Sequence, residues 1–378
     1  MYLKLLFTGD FAPCRGFESM SISRGASIFG NLKGDITAAD VAFVNLETPL
    51  CSGGKAIAKT GPNLRAHPDC VKPLAEAKFD VVGLANNHIM DFGPNGLTET
   101  MRICQDSGLS ICGAGANLAE AQSPLLIEKK GVRLAFIAVA EHEFSIAKTN
   151  KPGAAPLDPI DNTAQIKAAR KEADLVFMNI HGGNEHFEYP RPGLQKLCKF
   201  FIDRGADGVF CTHPHVPGAY EFYKDKPIVY SLGSLILDSD NPPKGWDEGY
   251  AVRLEYDTQT VKLISFELIP YTQSVHQNGV NKMGGKEKSN FLDKLEKYGQ
   301  TLSNSVSYEK AWVQYCKSKE TDVILKMFLP FHFRGLARIC KYIPIVRLLL
   351  LKASIARRKS LIRCESHYEL LLELLERR

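Results

Sequence analysis

Five apolar runs in the first 215 residues each end on a polar side chain able to ligate a metal, and this repetition constrains the fold more than any bulk property. LLFTG precedes Asp10, VAFVNL precedes Glu47, VVGLAN precedes Asn87 and His88, LVFMNI precedes His181, and GVFCT precedes His213 and His215. Short runs rich in β-branched and aromatic residues read as strands. In open α/β sheets, ligands bind beyond the carboxyl ends of the strands, so the five runs predict one site at one sheet edge. Taken singly, a Gly-Asp after a strand is a turn and a strand-end His is a hydrogen-bonded loop residue. Taken together they need another reason, because apolar strands gain no packing energy from terminal His and Asp. Carboxylate, amide oxygen and imidazole form a mixed donor set that suits Zn, Mn or Fe better than Ca or Mg alone.

The intervening chain supports the same architecture. From Leu3 to about Pro270, apolar runs alternate with amphipathic stretches, as in βα units, and further strands are expected at RLAFIAVA, PIVYSLG and YAVRLEY. Before GVFCT, residues Leu194, Leu197, Cys198, Phe201 and Ile202 share one helical face, and Gly205 follows as a stop. The fold class is therefore α/β, and 378 residues with 44% hydrophobic content can bury a large core. Residues 273–290 are polar and rich in Gly, Asn and Lys, which predicts a linker between a domain at 1–272 and a helical extension at 291–378.

The net charge of +5 is small and the basic residues carry no base-stacking aromatic motif, so nucleic acid is not an expected partner. None of the ten cysteines falls in a Cys-x-x-Cys pair, which removes a zinc ribbon and a redox motif. Buried, reduced thiols and a cytoplasmic location are expected. The segment before Asp10 is too short for a secretory apolar region. No apolar run approaches the ~20 residues that span a bilayer.

His213 and His215 are the most specific pair, since two residues apart on an extended or turning backbone places both imidazoles on one side. A polar turn stiffened by Pro214 would explain the proline but not two imidazoles. In HGGNEH, Gly182 and Gly183 would let the backbone approach a ligand beside His181, or serve an ordinary turn.

In order along the chain, GDFAPCR, NLETPL, ANNHIMDFG, HGGNEHFEYP, GADGVFCTHPHV and IVYSLGS resemble the successive motifs of the bacterial poly-gamma-glutamate capsule synthesis family, CapA type, over about Leu3 to Asp238. That family is similar in fold to calcineurin-like metallophosphoesterases. The resemblance implies a metallophosphoesterase-like β-sandwich flanked by helices, with metals at the strand ends. Carried over by motif, Asp10, Glu47, Asn87, His181, His213 and His215 would be the metal ligands, Glu47 standing where the phosphoesterases have a bridging aspartate. His88 would be the catalytic residue that protonates the leaving group or steadies the phosphoryl oxygens. A metal-bound hydroxide would be the nucleophile, since a divalent ion lowers the pKa of bound water towards ~7. The implied cofactor is a divalent transition metal, Mn, Zn or Fe, as one or two ions. Arg15, Asp91 and Glu185 would bind substrate or hydrogen-bond to the ligands, or act as surface ion-pairing residues.

Three positions depart from the phosphoesterase pattern. Ala12 stands where a histidine is usual, which would leave a mononuclear or weakly dinuclear site. Glu47 is one methylene longer than aspartate, and Ser234 and Leu235 replace the family's Asn-Phe after Ser-Leu-Gly.

Between Lys326 and Arg363 lie ten Lys or Arg residues and no Asp or Glu, interleaved with Phe, Leu and Ile. Such a stretch reads as a membrane-surface element attracted to anionic lipid, giving peripheral attachment at the inner face, or as a helical face packed on the domain or a partner. ELLLELLE near the end suits a helix-helix contact. Two functions are carried forward. One is a metal-dependent hydrolase in capsule or surface-polymer biosynthesis, acting on a phosphoester or an anionic polymer. The other is a non-catalytic accessory protein that binds an anionic polymer or lipid-linked intermediate in a membrane synthesis complex. His88 favours the first and Ala12 the second.

Overall fold

A computed structural model describes residues 1–277, 279–328 and Ile362. In chain order the strands are β1 Tyr2–Ala12, β2 Val41–Leu46, β3 Val81–Gly83, β4 Ser110–Cys112, β5 Ala114–Gly115, β6 Leu125–Lys129, β7 Val132–Ala140 and β8 Gly153–Ala154. They continue as β9 Leu175–His181, β10 Gly208–Thr212, β11 Tyr220–Tyr223, β12 Lys226–Val229, β13 Ser234–Leu237, β14 Glu248–Asp257, β15 Leu263–Ser274 and β16 Gly279–Lys282. One sheet has the order β16-β15-β14-β1-β2-β3-β4, with β13 also paired to β1, and the other runs β11-β12-β10-β9-β7-β6. β5 and β8 form a separate two-stranded ribbon.

The centre of each sheet is parallel and its edges are antiparallel, except that the edge strand β4 runs parallel to β3. β1, β2 and β3 run parallel in the first sheet, and β7, β9 and β10 in the second. Every residue of β2 and of β9 is buried, as expected of parallel strands covered on both faces. The edge strand β6 instead alternates between half-buried and exposed. The helix Pro192–Arg204 ends at Gly205 with φ 118°, a left-handed stop that glycine supplies without strain.

The two sheets meet over phenylalanine. Phe7 of β1 stacks on Phe210 of β10 at 3.8 Å between ring centroids and lies 5.2 Å from Phe177 of β9. Phe43 of β2 stacks on Phe136 of β7 at 6.1 Å. Burying each such side chain contributes roughly 1.5–3 kcal/mol, and this interior is the main source of stability for the sandwich. At the carboxyl end of β1 the strand is irregular at Asp10, where the register with β13 shifts. Gly9 permits the crossing there, since a Cβ on it would fall 1.8 Å from the Gly233 carbonyl oxygen.

The domain boundary differs from the expected one. One compact unit runs Met1–Ser305 and a second begins at Val306. The segment expected as a linker, 273–290, ends β15, forms β16 and starts the helix Gly285–Ser303. Its polarity misleads because sheet pairing uses the backbone, and Val280 together with Phe291, Leu295 and Leu302 supplies enough burial to hold it. In the second unit the helix Ser305–Phe328 is described. The basic stretch up to Arg363 and the ELLLELLE segment lie outside the described residues, apart from the backbone of 326–328 and Ile362. Among the described residues no helix is long and apolar enough to cross a membrane.

Candidate metal centre

The parallel strands β1, β2, β9 and β10 all point their carboxyl ends to one edge of the sandwich, and the expected donors meet there. Asp10 pairs in register with Asn45, and His181 is flanked by Ala140 and Thr212. Asp10 Oδ1 lies 3.6 Å from His181 Nδ1, and Oδ2 lies 3.5 Å from His215 Nδ1. Glu47 Oε1 is 3.4 Å from His181 Nε2 and 3.6 Å from His215 Nε2. Asn87 Oδ1 and His213 Nδ1 each lie 3.1 Å from His181 Nε2. All six residues expected to ligate metal are thus adjacent, and five are almost fully buried, Asn87 being half-buried.

These distances discriminate between a hydrogen-bonded cluster and a metal site. Both carboxylate oxygens of Glu47 are buried without any hydrogen-bond partner, which for a carboxylate costs several kcal/mol. Two donors each about 2.1 Å from one ion at a tetrahedral angle stand about 3.4 Å apart, close to the spacing of Glu47 from its imidazoles. The donor atoms fall into two triplets, Glu47–His181–His213 and Asp10–Glu47–His215, each within 4.8 Å. Glu47 belongs to both, so the set fits one or two divalent ions with Glu47 between them.

The titration behaviour reflects the same crowding of charge. Burial opposes a charge on His181, but Glu47 and Asp10 outweigh it and push the imidazole up to about 10. His215 is raised for the same reasons. His213 goes the other way, lowered well below its usual value by burial and by its two imidazole neighbours. Burial alone would raise Asp10, but the imidazoles of His181 and His215, 3.6 and 3.5 Å from its two oxygens, hold it far below the carboxylate range. The carboxylates thus favour protons on these two imidazoles, and a divalent cation bound here would have to displace them.

His88 stands at the rim of the cluster. Its Nδ1 lies 2.6 Å from Asp91 Oδ2, and the buried Lys59 ammonium pairs with the other oxygen of Asp91. Asp91 is fully buried and also accepts from the Leu64 amide, so it orients His88 and does not reach substrate. The rim is a cleft of about 270 Å³ lined by Glu47, His88, His215, Arg15, Glu185 and Trp246, among others. Arg15 Nη1 reaches Asp240 at 3.4 Å across that cleft. Trp246 lies 5.2 Å from the His215 ring. Ala12 packs with Cys14, Leu64, Leu237 and Trp246, so apolar contacts fill the place where a further imidazole would stand.

Sequence reasoning missed Asn45, Lys59 and Trp246. Asn45 Nδ2 donates to Asp10 Oδ1 at 2.7 Å, and its inward position follows from alternation with Phe43 and Glu47. Lys59 sits in the irregular segment 51–65, where no pattern marks it. Gly182 and Gly183 serve the turn: a side chain on Gly182 would strike Glu141, and Gly183 takes φ 115°. The backbone at His213 and His215 is neither extended nor relaxed, with φ 100° and 58°, yet both imidazoles join the cluster.

The sequence model of the family described as bacterial capsule synthesis protein PGA_cap matches residues 4–239, well over half the chain. The PGA biosynthesis protein CapA of Bacillus subtilis (strain 168) is 33% identical over 250 residues, covering 65% of this chain and 64% of that protein. The capsule biosynthesis protein CapA of Bacillus anthracis is 32% identical over 254 residues, covering 65% and 61%. The chain therefore spans less than two thirds of the length of those relatives. Among solved structures, a phosphatase from Mycoplasma pneumoniae aligns at a TM-score of 0.46 with 16% identity, covering 72% of this chain and 94% of that one.

Proposed function

This chain belongs to the bacterial capsule synthesis protein family, and from that premise we propose that it hydrolyses a phosphoester bond in capsule or surface-polymer biosynthesis, using one or two Mn, Zn or Fe ions. The observation that carries the reading is Glu47, a buried carboxylate with no hydrogen-bond partner, set among imidazoles at the floor of a cleft that His88 also lines. Asp10, Glu47, Asn87, His181, His213 and His215 would hold the ions. Bound there, a divalent ion supplies an activated water and neutralises charge on the phosphoryl oxygens.

The chain's own groups do the rest. Nδ1 of His88 is occupied by Asp91, which leaves Nε2 to hold a proton for the leaving oxygen. Lys59 fixes Asp91 in place from behind. Arg15 and Glu185 line the cleft and would contact the substrate, Arg15 through its charge on an anionic oxygen. The basic sequence between Lys326 and Arg363 would bring the protein to an anionic membrane surface.

The accessory reading, binding of an anionic polymer or lipid-linked intermediate without turnover, is favoured by one observation, the apolar packing around Ala12. Elemental analysis and a phosphodiester hydrolysis assay separate the two. Hydrolysis is expected, with His88→Ala keeping the metal and lowering turnover by ~10²-fold or more. A metal-loaded protein without turnover on phosphomonoesters, phosphodiesters or peptide polymers would establish the accessory reading instead.

A further inference from the structure

Three strands carry a polar side chain on their inward face, between a phenylalanine and the metal cluster. β2 presents Phe43 and Asn45 before Glu47, β9 presents Phe177, Asn179 and His181, and β10 presents Phe210 and Thr212, each set spaced by two as the pleat requires. Asn45 Nδ2 donates to Asp10 and lies 3.2 Å from His181 Nδ1, and Thr212 Oγ1 lies 3.1 Å from the same nitrogen. Asn179 is different: only 6% exposed, it has no hydrogen-bond partner at either its oxygen or its nitrogen. A buried amide in that state needs a partner.

Beside it is a cavity bounded by Asn45, Asn179, His181 and Thr212 on its polar side and by Phe43 and Phe210 below. A water-sized sphere can be centred within about 10 Å³ of it. Cavities lined by hydrocarbon stay dry, whereas one with two to four polar partners and room for one molecule holds a water. We propose that this cavity is a permanent binding site for one water, which joins the Asn179 amide to Thr212 and through Thr212 sets the ring of His181.

The hydrogen bonds close consistently. Nδ1 of His181 has Asn45 Nδ2 at 3.2 Å and Thr212 Oγ1 at 3.1 Å. Asn45 Nδ2 already donates to Asp10, so with Nε2 facing Glu47, Asn87 and His213, Nδ1 carries the hydrogen and Thr212 Oγ1 is the neighbour that accepts it. The hydroxyl proton of Thr212 then needs an acceptor. The water oxygen accepts it and exchanges a second hydrogen bond with Asn179. Metal-bound histidines are commonly held this way through the other ring nitrogen, and loss of such support weakens metal binding by about 10- to 100-fold.

The role assigned to His181 rests on the metal reading above, but the water site does not, and the test keeps them apart. Crystals of the full chain, grown with Mn2+ and after chelation, should both show one ordered water within hydrogen-bonding distance of Asn179 and Thr212. Asn179→Leu should expel it and raise the Kd for Mn2+, measured by chelator competition, by about tenfold or more. Thr212→Val, a smaller change, should do the same if Asn179→Leu does not fold. A dry cavity in the native crystals, or an unchanged Mn2+ affinity in variants that have lost the water, overturns the proposal. A native protein that binds neither Mn2+ nor Zn2+ but shows the water retains the site and removes the metal reading.

Discussion

The interior of the sandwich has two ends built on the same strands. At one, Phe7, Phe43, Phe136, Phe177 and Phe210 fill the space between the sheets. At the other, one or two turns of the pleat further along, Asp10, Glu47 and His181 occupy equally buried positions. The first end lowers the free energy of the fold by its contacts. The second returns less, because the Glu47 carboxylate is desolvated with no hydrogen bond in return, only imidazoles at 3.4 and 3.6 Å. Burial alone therefore does not distinguish packing from chemistry; unsatisfied polarity at full burial does.

The contrast is broken most directly by one substitution at each end. Phe7→Ala should cost about 3–5 kcal/mol in denaturant unfolding, while the metal bound per folded molecule stays unchanged. Asp10→Ala should remove most of the metal from the molecules that remain folded. If Phe7→Ala lost metal in the folded fraction, or if Asp10→Ala kept full occupancy in elemental analysis, the two ends would not be separable.

A smaller effect probes the layer between them. Asn45→Ala removes the donor to Asp10 Oδ1 and should weaken metal binding by about tenfold, read by chelator competition. An unchanged affinity would make Asn45 part of the packing end.

The donor end also carries a pH dependence. The pKa values of His181 and His215 are raised in the ion-free fold, so their contribution to stability is complete below the ordinary value of 6.5. It is lost as pH climbs through the folded values, up to about 10 for His181. Asp10, which is lowered, contributes above 3.8 and loses its contribution as pH falls. Metal must displace the histidine protons, so affinity should rise with pH above neutrality by up to about tenfold per unit for each proton released. Affinity that does not change between about pH 7 and 9 would mean that these imidazoles are not donors.

Much of this was legible in the sequence, and the reason is periodicity. Each donor ends an apolar run, and eight of the strands carry such a run, so direction and meeting point followed from the α/β pattern. What escaped depends on the third dimension. Asn179 reads as an ordinary polar interruption of LVFMNI until the facing sheet leaves it without a partner. Lys59 lies in an irregular segment, and only folding brings it to Asp91. β16 and the helix after it were hidden by polar composition, because an edge strand needs one buried side chain and a paired backbone more than a hydrophobic run.

Of the nine non-glycine residues with positive φ among the described residues, Arg15, His186 and His215 line the cleft and His213 lies in the donor cluster beside it. Each such conformation stores about 1–3 kcal/mol of strain. A search for hardier variants would find these positions early, since glycine there relieves the strain at once, and each success at His213 or His215 would delete a donor. Part of the thermostability still open to this protein therefore lies where it cannot be taken without disarming the site, and heat tolerance should be sought at Lys78 and Asp225, whose backbones are bent the same way and whose side chains, unlike the ion-paired Lys130 and Lys224, hold no salt bridge among the described residues.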